Sequence, residues 1–251
     1  MKKIQINKIL KRGKALFLAY DQGLEHGPID FNDKNADPNF IINIARKGKY
    51  NAVIFQKGIA EKYNSEIRKS RIPLIIKLNG KTNLVKGEPI SRQLCSVSEA
   101  IELGAKAVGY TIYIGSAYEN IMLSEFERIE REAHNLGIPV IAWIYPRGKG
   151  VKGKSEKELM AYAARTGLEI GADIVKMHFN GRKEDLKWAV KSAGKTKVVI
   201  AGGAKSDENV LLHEIKDIMD CGAIGMAIGR NVWQAKYPMD ITRKIKKAIW
   251  R

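Results

Sequence analysis

The 251-residue chain predicts an α/β fold, a (β/α)8 TIM barrel forming one domain over residues 1–251. Three observations carry the prediction. Eight short, β-branched apolar runs recur about 30 residues apart, the length of one strand–helix unit. The runs are apolar on both faces, as parallel strands buried between a core and a layer of helices are. Segments with helix-capping signals lie between them. A doubly wound open sheet is the competing arrangement, but no Gly-x-Gly-x-x-Gly turn follows the first run.

The elements follow in order. The first run covers residues 15–21. A helix over 38–47 is announced by Asp37 as N-cap and Pro38 at the first helical position. Runs two and three cover 52–56 and 74–79. Ser96 and Glu99 have the spacing of a capping box for a helix over 96–103. Run four covers 107–113, and the longest helical segment, 117–136, leads to run five at 140–145. Ser155, with Glu158 three residues on, opens the helix over 155–170. Runs six, seven and eight (174–179, 198–202, 224–229) are separated by helices over 185–193 and 206–220, and a helix over 240–250 ends the chain. Gly48, Gly104, Gly137, Gly171, Gly194 and Gly222 stand at the helix ends, where a left-handed cap costs glycine nothing.

Composition bounds the function. Hydrophobic residues make up 45% and charged residues 28%, an ordinary globular balance. The two cysteines, Cys95 and Cys221, give no disulfide framework and no Cys-x-x-Cys pair, so a reducing, cytoplasmic setting is expected. The N-terminal apolar run is too short for a signal peptide, and the longest other run, 138–144, is far from the ~20 residues that span a bilayer. The net charge of +17 suggests an anionic partner. Its lysines are spread along the chain, not gathered in a basic stripe with interleaved aromatics, so neither nucleic acid nor a membrane is expected as the partner.

In a barrel of this kind, chemistry sits at the C-terminal ends of the strands. Lys176 lies inside a buried run, where burial should push its pKa toward neutrality and make it a nucleophile for a carbonyl. A structural lysine paired with Asp21 is the bland alternative. Lys77 sits in a run of the same character, and position alone does not separate the two. Trp143, Tyr145 and Arg147 alternate and so share a face. Tyr145 there can move protons, Trp143 can wall the pocket or merely fill the core, and Arg147 can bind an anion. Gly202-Gly203 and Gly229-Arg230, after runs seven and eight, form the phosphate site common in barrels, with a helix dipole expected to assist. The glycine- and lysine-rich loop 147–157 reads as either a lid or a solvated loop. No metal site is expected: of the four histidines only His26 and His178 fall at strand ends.

The chain resembles the archaeal-type class I fructose-1,6-bisphosphate aldolases. The likeness runs through LAYDQGLEHGP at 18–28, VIFQKGIAEKY at 53–63, KLNGKT at 77–82, GYTIY at 109–113, YPRG at 145–148, GADIVK at 171–176 and AIGRNVWQ at 227–234. The resemblance implies a metal-independent enzyme needing no cofactor. It implies Lys176 as the Schiff-base lysine, Tyr145 as general acid/base and Asp21 as the carboxylate assisting proton transfers. Trp143 matches a substrate-contacting aromatic, and Gly203, Gly229 and Arg230 match the site for the phosphate of dihydroxyacetone phosphate, beside Gly202. His26 and Arg147 are the candidates for the second phosphate of the sugar. A large homo-oligomer, a decamer, is also implied. Gln22 departs from the histidine usual in relatives, as Asn180, Arg182 and Ala204 depart from the common threonine, aspartate and proline. A close branch of the family, the 2-amino-3,7-dideoxy-D-threo-hept-6-ulosonate synthases, uses the same lysine. The motifs at 23–27 and 77–81 resemble the aldolase more.

Overall fold

The computed structural model describes residues 2–251. Eight parallel strands close into a barrel in chain order: β1 (Ala15–Ala19), β2 (Ala52–Gln56), β3 (Leu74–Lys77), β4 (Ala105–Ile112), β5 (Val140–Ile144), β6 (Ile174–Met177), β7 (Lys197–Ala201) and β8 (Gly225–Ile228). Strand β8 pairs with β1 through Ala15 to Leu18, which completes the circle. The predicted runs therefore all form strands; all but the second run extend one or two residues beyond their strand, and those last residues form the mouth of the barrel.

Alternation along each strand divides the core in two. Phe17, Ile54, Ile75, Ile141, Ile174, Val199 and Ala227 fill the barrel interior. Leu16, Leu18, Val53, Phe55 and Ile76 point outward and pack against helix residues such as Phe126 and Ile215. Ile6, Ile9 and Leu10, just ahead of β1, join the interior cluster and close the barrel at its N-terminal end.

The helices lie where the caps put them. Asp37 accepts a hydrogen bond from the Asn39 amide at the start of Pro38–Gly48. The capping box of Val97–Glu102 is complete, Ser96 and Glu99 exchanging hydrogen bonds of 3.1 and 2.8 Å. Ser155 caps Glu156–Glu169. Gly48 is a correction: it stays helical, pressed against Tyr50 and Thr242, and Lys49 takes the left-handed cap with φ of 50°. The segment after β2 forms two short helices, Lys57–Lys62 and Asn64–Ser70, broken at Tyr63. Beyond β3, Asn79–Gly80 pairs antiparallel with Arg92–Gln93, so the residues between them make an excursion from the barrel rim.

Candidate active site

The side chains that carry the interior phase to the C-terminal strand ends and just beyond them converge. Asp21 follows Ala19, Lys77 follows Ile75, Trp143 and Tyr145 follow Ile141, and Lys176 and His178 follow Ile174. They wall one cavity of about 170 Å³ at the C-terminal mouth. Gly202, Gly203, Gly229, Arg230, His26 and Arg147 also line it, so every candidate residue read from the sequence faces the same space. A larger cavity, about 690 Å³, lies across the short Gly23–His26 helix and is walled mainly by apolar groups including Tyr20, Phe31, Leu24 and Leu94. The converging titratable groups mark the smaller one as the chemical site.

Two lysines and one carboxylate form its floor. All three are nearly buried, at 5–6% exposure. Lys77 Nζ lies 3.3 Å from Asp21 Oδ2, so the ion pair belongs to Lys77 and not to Lys176. Burial alone would raise the Asp21 pKa, but the charges of Lys176 and Lys77 outweigh it and hold the carboxyl below its ordinary value. Lys176 moves the other way: burial, aided by the neighbouring Lys77 charge and opposed by Asp21, lowers its pKa to about 8. Its ammonium lies 5.0 Å from the centroid of the Trp143 ring.

Trp143 owes its place to a missing side chain. A Cβ on Gly109 in β4 would fall 1.5 Å from the Trp143 ring, so only glycine lets the indole lie across the interior. The ring is 1% exposed, packed in the interior cluster, yet it walls the cavity too. Core filling and substrate contact are thus compatible here. Trp143 Nε1 is buried without a protein acceptor, as is Gln22 Nε2.

Burial, together with the charges of Asp21 and Glu25, raises the Tyr145 pKa well above its ordinary value, so the phenol is neutral. Its ring stacks on His178, centroids 4.6 Å apart. Burial and the charges of Lys176 and Arg147 lower the His178 pKa to about 4. Arg147 stands at the rim, its guanidinium 5.3 Å over Tyr113 and 5.7 Å over Tyr145, and donates to Glu25 at 3.1 Å. The rest of loop 147–157 turns away: Lys149 donates through its backbone to Glu88, and Gly150 to the Gly115 carbonyl, so its lysines do not line the cavity.

The glycine loops sit opposite. Gly203 has φ of +64°, a conformation that residues with a Cβ rarely adopt. The helix beginning at Arg230 is a single turn, Arg230–Trp233, which corrects the expected dipole: four residues supply little of one. Arg230 Nη1 lies 3.4 Å from Asp30 Oδ1, and the other Asp30 oxygen is 2.6 Å from His26 Nδ1. Asp30 and Glu25 are site residues that the sequence does not announce, whereas Lys77 enters there only as the rival of Lys176 and His178 only as a strand-end histidine. Lys77 and His178 carry a legible signal, the interior phase at a strand end; Asp30 and Glu25 sit on the first loop, whose path no periodicity gives.

Among the described residues no three His, Cys, Asp or Glu side chains gather as metal ligands, and no helix is long and apolar enough to cross a membrane.

The sequence and the fold have known counterparts. Residues 15–235 match the DeoC/LacD family of aldolases. A fructose-bisphosphate aldolase class 1 from Thermoproteus tenax is 46% identical over 243 residues, 96% of this chain and 91% of that protein. A fructose-bisphosphate aldolase/6-deoxy-5-ketofructose 1-phosphate synthase from Methanocaldococcus jannaschii is 40% identical over 256 residues, covering 96% of this chain and 81% of its own. Among solved structures, an archaeal fructose-1,6-bisphosphate aldolase with its catalytic Lys covalently bound to the carbinolamine intermediate superposes with a TM-score of 0.92 at 44% identity, covering 98% of each chain. The chain belongs to the DeoC/LacD aldolase family and, within it, to the archaeal-type class 1 fructose-bisphosphate aldolases.

Proposed function

We propose that this chain cleaves fructose 1,6-bisphosphate reversibly to dihydroxyacetone phosphate and glyceraldehyde 3-phosphate through a Schiff base on Lys176. The observation that carries the reading is the Lys176 amine: buried, without a carboxylate partner, with a pKa near 8, at the floor of a cavity lined by Asp21 and Tyr145. An amine of that pKa is about a tenth neutral at pH 7, against less than a thousandth for an ordinary lysine.

The chemistry follows from the groups present. Neutral Lys176 Nζ adds to the C2 ketone, and loss of water from the carbinolamine leaves an iminium. Ionised Asp21 accepts and returns the protons of these steps. The iminium then draws the electron pair of the C3–C4 bond as the C4 hydroxyl loses its proton, and glyceraldehyde 3-phosphate departs. The resulting enamine takes a proton at C3, and hydrolysis frees dihydroxyacetone phosphate and Lys176. Tyr145, whose phenolate is disfavoured, serves as a relay that gives one proton as it takes another. Gly202, Gly203, Gly229 and Arg230 receive the phosphate of the dihydroxyacetone half. His26 and Arg147 face the second phosphate, and Trp143 Nε1 and Gln22 Nε2 can donate to sugar oxygens. The setting this implies is a cytoplasmic, homo-oligomeric enzyme of glycolysis and gluconeogenesis.

The test is reductive trapping. Dihydroxyacetone phosphate with borohydride should yield an adduct that mass spectrometry maps to Lys176, and fructose 1,6-bisphosphate cleavage should persist in EDTA. No adduct, or an adduct on Lys77, would overturn the assignment. Lys176→Met should abolish cleavage while the protein still folds.

A further inference from the structure

One buried side chain outside the residues named so far ties the two glycine loops together. Asn231 follows Gly229-Arg230, is 5% exposed and uses its full hydrogen-bonding capacity. Its Nδ2 donates to the carbonyls of Gly202 at 2.7 Å and Ala204 at 2.9 Å. Its Oδ1 accepts from the Ser206 amide at 2.8 Å and from the Ser206 hydroxyl at 3.3 Å. The loop after β7 is thus held at three alternate residues by one amide that belongs to the helical turn Arg230–Trp233 after β8.

The consequence lies in the peptide planes. In a trans peptide the C=O and the following N–H point in opposite directions. Pinning the Gly202 carbonyl to Asn231 turns the Gly203 N–H away from Asn231. That N–H has no protein acceptor among the described residues, and Gly203 lines the cavity. Pinning the Ala204 carbonyl turns the Lys205 N–H away in the same manner. Without Asn231 the loop can rotate these planes, because Gly203 gives its backbone no side-chain restraint.

We propose that Asn231 is a positioning residue that fixes the two loops at the spacing needed to bind the substrate phosphate, and that it acts on phosphate affinity and not on the chemistry at Lys176. The proposal rests on these loops being the phosphate site. A preorganised donor costs nothing to order at binding, whereas a loose one must be ordered each time.

The experiment compares the wild type with Asn231→Ala and Asn231→Asp. Inorganic phosphate is the probe, as a competitive inhibitor of fructose 1,6-bisphosphate cleavage, and borohydride trapping with unphosphorylated dihydroxyacetone reports Lys176 alone. For Asn231→Ala, KM and the phosphate inhibition constant should rise together by roughly tenfold, about 1.4 kcal/mol, with a much smaller change in the dihydroxyacetone trapping rate. Asn231→Asp keeps the Ser206 contacts but sets a carboxylate oxygen against two carbonyls. It should weaken phosphate at least as much, and it decides the matter if the alanine variant does not fold. An unchanged phosphate inhibition constant, or an equal loss with dihydroxyacetone, overturns the role. Failure of phosphate to inhibit the wild type instead removes the phosphate site from these loops, and the proposal with it.

Discussion

Replacing Lys77 by Gln separates the two buried lysines in one measurement. The substitution removes a positive charge from the pair with Asp21 while leaving an amide that can still donate to the carboxylate. Two effects on Lys176 then add. The Lys77 charge, which lowers the Lys176 pKa, is gone, and Asp21, which raises it, is no longer shared. Two unit charges within one cavity floor interact by a few kcal/mol at an effective dielectric of about 20, or about 2 pKa units. Relaxation around the smaller charge reduces this, so the Lys176 pKa should climb from about 8 by roughly 1 to 2 units.

The assay is the rate of borohydride-trapped adduct with dihydroxyacetone phosphate as a function of pH. The nucleophile is the neutral amine, so the rate rises with pH and levels off above the Lys176 pKa. In Lys77→Gln the rising limb should move toward higher pH, and the rate at pH 7 should fall by roughly 10- to 100-fold. The substrate phosphate titrates alike in both enzymes and drops out of the comparison. A limb that stays in place, or moves toward lower pH, would refute the electrostatic reasoning. Loss of the adduct at every pH would make Lys77 the nucleophile.

Three further outcomes follow from the same geometry. Tyr145→Phe should keep Schiff-base trapping but lose roughly 10²- to 10⁴-fold in cleavage rate, the usual worth of a positioned acid–base group; steady-state and trapping assays on one preparation check this. Gly109→Ala drives a methyl into the Trp143 ring, and overpacking of this kind costs about 1–3 kcal/mol, visible as a fall of several degrees in Tm. Lys176→Met should be at least as stable as the wild type at pH 7. The folded-state pKa of Lys176 lies below its ordinary 10.5, so the unfolded chain holds more protons between about 8 and 10.5. Wild-type stability therefore rises with pH across that window, and the variant should lack that rise in pH-dependent denaturant melts.

The strands were legible because both signals that define them are local. Apolar runs of four to eight residues and a repeat of about 30 residues need no knowledge of what folds against what. The interior phase was equally local, and it sufficed to bring Trp143, Tyr145 and Arg147 to one wall. What sequence could not resolve was relational. The runs around Lys77 and Lys176, IIKL and IVKM, are nearly interchangeable as strings. The difference between them is Asp21, which lies just past the end of a third strand and pairs with Lys77. The two short helices after β2 escaped because neither is long enough to display a periodicity, and the ladder of Asn79–Gly80 with Arg92–Gln93 has only two residues a side.

The same relation explains how a chain of net charge +17 arrives at a single reactive cation. Four of the other basic side chains lining the cavity have a carboxylate: Lys77 has Asp21, Arg147 has Glu25, and Arg230 and His26 share Asp30. Among the described residues Lys176 has none within ion-pair distance; nor does His178, but its pKa of about 4 leaves that ring neutral, so Lys176 is the one unpaired amine of the cavity. The pairing has two consequences. Lys176 bears burial without a compensating contact, so it is the amine that loses its proton most readily. Arg147 and Arg230, by contrast, are already held by carboxylates, so in the proposed complex a sugar phosphate meets them by sharing or displacing Glu25 and Asp30. Loops pinned in advance, as those around Asn231 are, then matter more, because backbone N–H groups carry no counter-ion that the substrate must first displace.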